Sequence, residues 1–258
     1  DVHETRVAVT EGQRLEEFYV ERGSDQRVVG SIYKGRIASV VPGIGAAFVD
    51  IGLPKNGFLY VSEIVEPKPD EDAILEGEPR RHSRERHHPQ NRRSRIEEIV
   101  KEGQDILVQV VKEPFGTKGA RLTTHLSLPG RYMVLMCNDP RLGISKRIEE
   151  PSERARLRGF LNELRFSEEA GLIIRTAGEG KDKKACARDV RYLSGQYQQI
   201  KRTASRAKPP VCVYQEYSLS QRVIRDSFTE DVQRILVDSK AEFHRIRRFL
   251  QTLIPGFK

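Results

Sequence analysis

Between Ser31 and Tyr60 the chain reads SIYKGRIASVVPGIGAAFVDIGLPKNGFLY, three apolar runs broken twice by proline and glycine. Ile32, Tyr33, Ile37 and Val40 favour an extended backbone. Pro42-Gly43 and Gly45 end that run, Ala46–Ile51 resumes it, and Pro54, Asn56 and Gly57 turn the chain into Phe58–Val61. The succession strand, turn, strand, turn, strand predicts a small β-barrel. Phe48 and Phe58 fall on successive strands, with Lys34, Arg36 and Lys55 close by. Aromatic faces interleaved with cations give a nucleobase a surface to stack on and a phosphate a counter-charge, the arrangement of an oligonucleotide-binding barrel. The same two phenylalanines would serve equally well as barrel core, and the residues alone leave both readings open.

Composition narrows the class. At 258 residues and 37% hydrophobic, the chain is long enough for one to three domains with real cores. Forty-five Lys and Arg against 37 Asp and Glu give +8, which favours a polyanionic partner such as RNA over an acidic small molecule. No stretch approaches the roughly 18 apolar residues of a membrane span and no charged-then-apolar leader opens the chain, so a soluble, cytoplasmic protein is expected. Cys137, Cys186 and Cys212 are far apart and form no C-x-x-C pair. They are expected to be reduced, mostly buried fillers rather than a disulfide framework or zinc site.

Along the chain, Glu4–Val9 and Leu15–Val20 read as a β-hairpin around Glu11-Gly12-Gln13. Two strands need further partners, and the C-terminal segment is the expected source, which makes that domain discontinuous. Glu66–Arg95 is charged and poor in apolar anchors and is expected to be a mobile loop insertion. Its Arg80, Arg81, Arg84, Arg86, Arg92, Arg93 and Arg95 form either an electrostatic arm for RNA or a solvated loop. His82, His87 and His88 there lack the positioned partners that a metal site needs. Asp105–Lys112 closes the barrel, and Gly116, Lys118, Gly119 and Arg121 follow in a glycine-rich turn without P-loop spacing.

A mixed α+β unit is expected over about 125–207. Its strands are Tyr132–Cys137 and Gly171–Thr176. Ser152 caps a helix bearing Leu157, Phe160, Leu161 and Leu164, and a helix from about Lys183 carries Val190, Leu193, Tyr197 and Ile200 on one stripe. Beyond Lys208-Pro209-Pro210, strands at Val211–Tyr214 and Ile235–Asp238 and helices at Ser218–Phe228 and Ala241–Leu253 are expected to complete the sheet begun by the N-terminal hairpin.

Seven runs, GSIYKGRI, GAAFVDIG, NGFLYVSEI, GTKGARLTT, LPGRYMVLM, GISKRIE and GLIIRTAGEG, occur in this order. Together they closely resemble the N-terminal half of the bacterial and plastid ribonuclease E/G family, and the ETRVAV segment looks more similar to the G branch. The resemblance implies an α+β multidomain fold. A discontinuous ribonuclease H-like α/β domain without catalytic function (1–30 plus 208–258) is interrupted by an S1 barrel of the OB-fold type (31–124, with the charged loop 66–95) and a 5′-sensor domain (125–207). It implies RNA contact by two barrel aromatics and a lysine, here Phe48, Phe58 and Lys118. It implies recognition of a 5′ monophosphate by Arg175 and Thr176, with backbone contacts at Gly130 and Val134. A guanidinium fork takes two phosphate oxygens and a neighbouring hydroxyl a third, so the residue types suit the task.

In that family, RNA processing and decay depend on magnesium held by aspartates of a DNase I-like domain and on a zinc link between paired cysteines. Neither maps onto this chain, so no cofactor is expected within it, and cleavage is expected of the full-length proteins. The resemblance also implies dimers and tetramers formed through regions beyond this match, leaving this half monomeric. Two other readings stand beside RNA binding with end sensing. One is an S1-type scaffold that ignores RNA ends. The other is a nuclease built on Asp226, Glu230, Asp231 and Asp238, although Asp226 and Glu230, at helical spacing among arginines, suit a salt-bridged face.

Overall fold

The computed structural model describes residues 4–22, 28–65, 73–75, 95–229 and 231–253. Strands β1 (Glu4–Glu11) and β2 (Arg14–Arg22) form the expected hairpin, closed at Gly12, whose φ of 59° a side chain would resist. β3 (Ile32–Val41), β4 (Ala46–Asp50) and β5 (Gly57–Tyr60) follow as the Pro and Gly punctuation dictates. A short helix α1 (Ser62–Val65), strand β6 (Ala73–Leu75) and helix α2 (Ile96–Ile99) lead to β7 (Asp105–Lys112) and β8 (Arg121–Thr123).

Five of these strands close on themselves in the order β3-β4-β5-β8-β7, with β7 pairing back to β3. All neighbours are antiparallel except β5 and β8, which run parallel. This five-stranded closed sheet is OB-fold-like, as the sequence predicts. Ile37, Ala47, Val49, Leu59, Val108, Val110 and Leu122 point inward, and Ile96 of α2 and Val100 just after it pack against the same cluster. Because side chains alternate along a strand, inward Ala47, Val49 and Leu59 leave Phe48, Phe58 and Tyr60 on the outer face.

A second sheet, ordered β6-β11-β12-β10-β9, combines β9 (Ser127–Pro129), β10 (Met133–Met136), β11 (Leu142–Ser145) and β12 (Gly171–Ile174) with β6. Helices α3 (Pro151–Glu163) and α4 (Lys183–Arg206) share its core. The α4 stripe is as expected, with Val190, Leu193, Tyr197 and Ile200 all buried. Two expectations about this region need correcting. Part of the charged insertion is strand: Ala73–Leu75 pairs antiparallel with Gly143–Ser145. In addition, Glu150 rather than Ser152 stands at the N-cap position of α3, without a capping side-chain hydrogen bond; Pro151 follows it and Ser152 lies inside the first turn. The other insertion residues singled out, Arg80–Arg93 with His82, His87 and His88, lie outside the described residues, whereas Arg95 precedes α2 and is exposed.

β13 (Val211–Tyr214) is a strand, but its partner is not the N-terminal hairpin. It pairs with the first half of β3, whose ten residues are long enough to take β13 there and β4 beyond. Ile235–Asp238 is irregular. Ile235 and Val237 pack against Ile224, Ile246, Phe249 and Leu250 of α5 (Leu219–Ser227) and α6 (Lys240–Leu253) instead of joining a ladder. Chain contacts divide the molecule into two units, Asp1–Arg27 with Tyr217–Lys258, and Val28–Glu216. Within the first, α5 packs on β1 and β2, and Arg222 pairs with Glu21 at 2.8 Å. No helix among the described residues is long and apolar enough to cross a membrane.

Candidate nucleic-acid interface

On the barrel's outer face, Phe48 and Phe58 are register partners across β4 and β5. Their rings meet edge to face with centroids 5.2 Å apart, and Phe58 meets Tyr60 the same way at 4.4 Å. The core alternative for the two phenylalanines is thereby set aside: both are half-buried by each other, while the barrel interior is filled from the opposite face.

The basic residues named from the sequence divide into two groups. Lys55 and Lys118 lie on the β4–β5 connection and the β7–β8 turn, which meet beside the start of β5. Phe58 N donates to Ala120 O, Lys55 Nζ donates to the Gly116 carbonyl, and Phe115 and Lys118 exchange backbone hydrogen bonds across a tight turn. The turn is pressed against the β4–β5 connection: a Cβ on Gly119 would lie 1.8 Å from the Asn56 oxygen. Lys118 is exposed, and among the described residues its ammonium makes no ion pair. By contrast, the Arg36 guanidinium is held by Asp105 at 2.9 Å, and Lys34 Nζ donates to the Ala207 carbonyl and lies 3.6 Å from Asp105. Their charge is largely answered within the protein.

Sequence reasoning passed over two exposed aromatics here. Tyr60 is two residues after Phe58, a period-2 signal that was legible. Phe115, 85% exposed at the tip of the β7–β8 turn, stands in the KEPFGTKGA run beside Lys118.

The second cluster lies on the other sheet of the same unit. Arg175, at the end of β12, donates from its backbone to Tyr132 O and from NH1 to the Gly130 carbonyl at 2.6 Å. This fixes the guanidinium against the β9–β10 turn. Thr176 follows on an exposed turn, its Oγ1 3.1 Å from Ser145 Oγ. Arg175 is thereby brought to Gly130, with Thr176 next to it in the chain, whereas Val134 pairs with Ile173 and Pro129 in the adjoining strands. Lys181 and Arg131 place cations over the Tyr132 ring in the same region.

What shapes the turn is Asp189, which the sequence reading also missed. Its buried carboxylate accepts the backbone N–H groups of Arg131, Tyr132 and Met133 at 3.2, 2.8 and 2.8 Å. Only glycine fits at 130, since a Cβ there would stand 2.5 Å from Asp189 Oδ2. Burial pushes the Asp189 pKa up, against the three N–H bonds and nearby Arg175, which pull it down. The available signal was a carboxylate on the apolar stripe of α4 beside Cys186 and Val190, a position that demands fixed donors.

Among the described residues, the carboxylates of the nuclease reading are not assembled into a site. Helix α5 stops at Ser227, so the helical spacing of Asp226 and Glu230 is not realised, and Glu230 lies outside the described residues. Asp226 is paired with Arg225 at 3.0 Å, and among the described residues no group of three or more His, Cys, Asp or Glu stands close enough to hold a metal.

A closed OB-type barrel with paired outward aromatics and a basic turn defines an oligonucleotide-binding class of protein. The family is settled by comparison. Residues 127–258 match the Ribonuclease E/G family. The chain is 42% identical over 252 residues to Ribonuclease G of Escherichia coli K12, covering 98% of this chain and 49% of that protein. Ribonuclease G of Haemophilus influenzae is 39% identical over 253 residues, with the same coverage, and Ribonuclease E of that organism is 38% identical over 255 residues, 26% of its length. The chain belongs to the ribonuclease E/G family. It spans about half the length of the ribonuclease G relatives it matches.

Proposed function

We propose that this chain is the RNA-binding and 5′-end-sensing part of a single-strand-specific endoribonuclease of the E/G type. The observation that carries the reading is the outward Phe48–Phe58 pair beside Lys55 and Lys118 on a closed OB-type barrel. Phe48 and Phe58 stack unpaired bases, Lys118 and Lys55 meet the backbone, and Lys34 and Arg36 contribute field rather than direct contacts. Arg175 and Thr176 take the oxygens of a 5′ monophosphate, with the Gly130–Val134 backbone around the first nucleotide. Support for this lies in the Gly130 carbonyl that pre-orients the guanidinium and the Asp189 carboxylate that shapes the turn. The segment 1–30 with 208–258 serves as a discontinuous ribonuclease H-like domain, 31–124 as the S1 domain and 125–207 as the sensor.

In this reading the isolated chain binds RNA in the cytoplasm as a monomer and does not cut it. Cleavage belongs to the whole protein, a dimer or tetramer in which magnesium and zinc are held by residues other than these. Fluorescence anisotropy with a 5′-hydroxyl single-stranded RNA tests the barrel's role. Phe58→Ala is expected to weaken binding by about 1–3 kcal/mol, the value of one base–aromatic stack. Unchanged affinity would return Phe58 to a structural role. Incubation with magnesium should leave the RNA intact; cleavage abolished by Asp226→Ala or Asp238→Ala would establish the nuclease reading instead.

A further inference from the structure

We propose that Tyr60, backed by Arg121, is a third base-stacking position, so that the barrel grips at least three consecutive unpaired nucleotides. This rests on the barrel reading above and extends it along β5. The strand's alternation puts Leu59 in the core and both Phe58 and Tyr60 outside, and Tyr60 keeps 38% of its surface exposed. Its ring stands edge to face with Phe58 at 4.4 Å, so Phe48, Phe58 and Tyr60 form one uninterrupted aromatic row.

The far side of the row is built rather than incidental. Arg121 follows the glycine-rich turn on β8 and sits beside Phe58 in the parallel β5–β8 register. Its guanidinium lies over the Tyr60 ring, 5.4 Å from the centroid, and NH2 donates to Glu63 Oε1 at 2.7 Å. Glu63 is 2% exposed, and its main-chain carbonyl accepts both the backbone N–H and the hydroxyl of Thr124, which fixes the backbone that carries the carboxylate. Arg121 Nε is buried without a hydrogen-bond partner among the described residues. The guanidinium is still 35% exposed. A cation anchored on one side of an aromatic ring leaves the ring's other side for a base and brings positive charge to the phosphate that follows it. The ligand class is an unpaired nucleobase of single-stranded RNA, taken without hydrogen-bond readout of its edge.

The chain contains no tryptophan, so Tyr60→Trp introduces a single indole fluorophore at the proposed position. Titrating that variant with a 5′-hydroxyl oligouridylate of about ten nucleotides, within the roughly 4–16 nucleotide span of an OB fold, should quench the indole. The quench should saturate with the same midpoint as the anisotropy of labelled RNA. Tyr60→Leu should weaken binding about 5- to 150-fold, while Tyr60→Phe should stay within about two-fold of wild type. If the RNA binds but the Y60W indole is not quenched, and Tyr60→Leu binds as tightly as wild type, the third position does not exist. Phe58→Ala, measured in parallel, separates the two claims. Loss on Phe58→Ala alone overturns the Tyr60 position and keeps the barrel reading, whereas no loss on either overturns both.

Discussion

Removing the Asp189 carboxylate should loosen the β9–β10 turn by an amount set by which amides lose their acceptor. In Asp189→Ala three N–H groups are orphaned. Met133 is fully buried and has no access to water, so its amide bears an unsatisfied-donor penalty of about 1–3 kcal/mol. Arg131 and Tyr132 are half-buried, and water replaces their lost bonds at about 0.5–1 kcal/mol each. Part of this is returned, because burial raises the Asp189 pKa and its ionised form is therefore costly in the fold at neutral pH. The balance is a loss of about 2–4 kcal/mol. Asp189→Asn keeps one oxygen for Tyr132 and Met133 and loses only the longer bond to Arg131, so it should cost about 1 kcal/mol or less. Urea unfolding followed by circular dichroism gives the ranking, and amide hydrogen exchange at Met133 localises it. Asp189→Ala within about 0.5 kcal/mol of Asp189→Asn, with Met133 exchange unchanged, would refute this account of the turn.

Two other predictions concern groups outside the RNA-facing surfaces. Burial pushes the Cys137 and Cys186 thiols up to about 12 and about 11; it raises Cys212 too, but that residue is exposed and within reach of reagent. Iodoacetamide at pH 8 should therefore alkylate one thiol per native chain, at Cys212, and all three after unfolding; labelling of native Cys137 would contradict the core assignment. On α3, the Arg156 guanidinium holds the Glu153 carboxyl down at about 2 from an ordinary 4.5, and Glu153 also accepts Gly180 N at 2.8 Å. A depressed carboxylate contributes stability above its unfolded pKa and loses it as pH falls through the folded one. The stability gap between wild type and Glu153→Gln should thus be constant above pH 4.5 and close on descending towards pH 2. A gap independent of pH across that window would show that the pair does not bear on folding.

The barrel was legible in the sequence because its information is local. Proline and glycine mark the turns, and strict alternation at Ala47, Phe48 and Val49 assigns faces once closure is assumed. The same locality explains the failures. Ile235–Asp238 has strand composition, yet a strand needs a ladder, and its apolar residues found helices α5 and α6 to pack on. Ala73–Leu75 is three residues within a charged segment, and only the edge of β11 makes it a strand. Val211–Tyr214 was identifiable as a strand, but its partner β3 lies more than 170 residues earlier, a pairing that composition does not encode. At the candidate site, Arg175 and Thr176 were singled out only by the resemblance of the RTAG run, and the carboxylate that shapes their neighbouring turn comes from a distant helix.

The central claim, that this chain reads the 5′ end of single-stranded RNA, is tested most directly by measuring the affinity of one sequence bearing a 5′ monophosphate, triphosphate or hydroxyl. The monophosphate should bind best, and Arg175→Ala should remove that preference, at a cost of about 1.5–3 kcal/mol for a charge-assisted bidentate contact, while leaving the hydroxyl RNA unaffected. Equal affinity for all three ends, or a preference that survives Arg175→Ala, would contradict it.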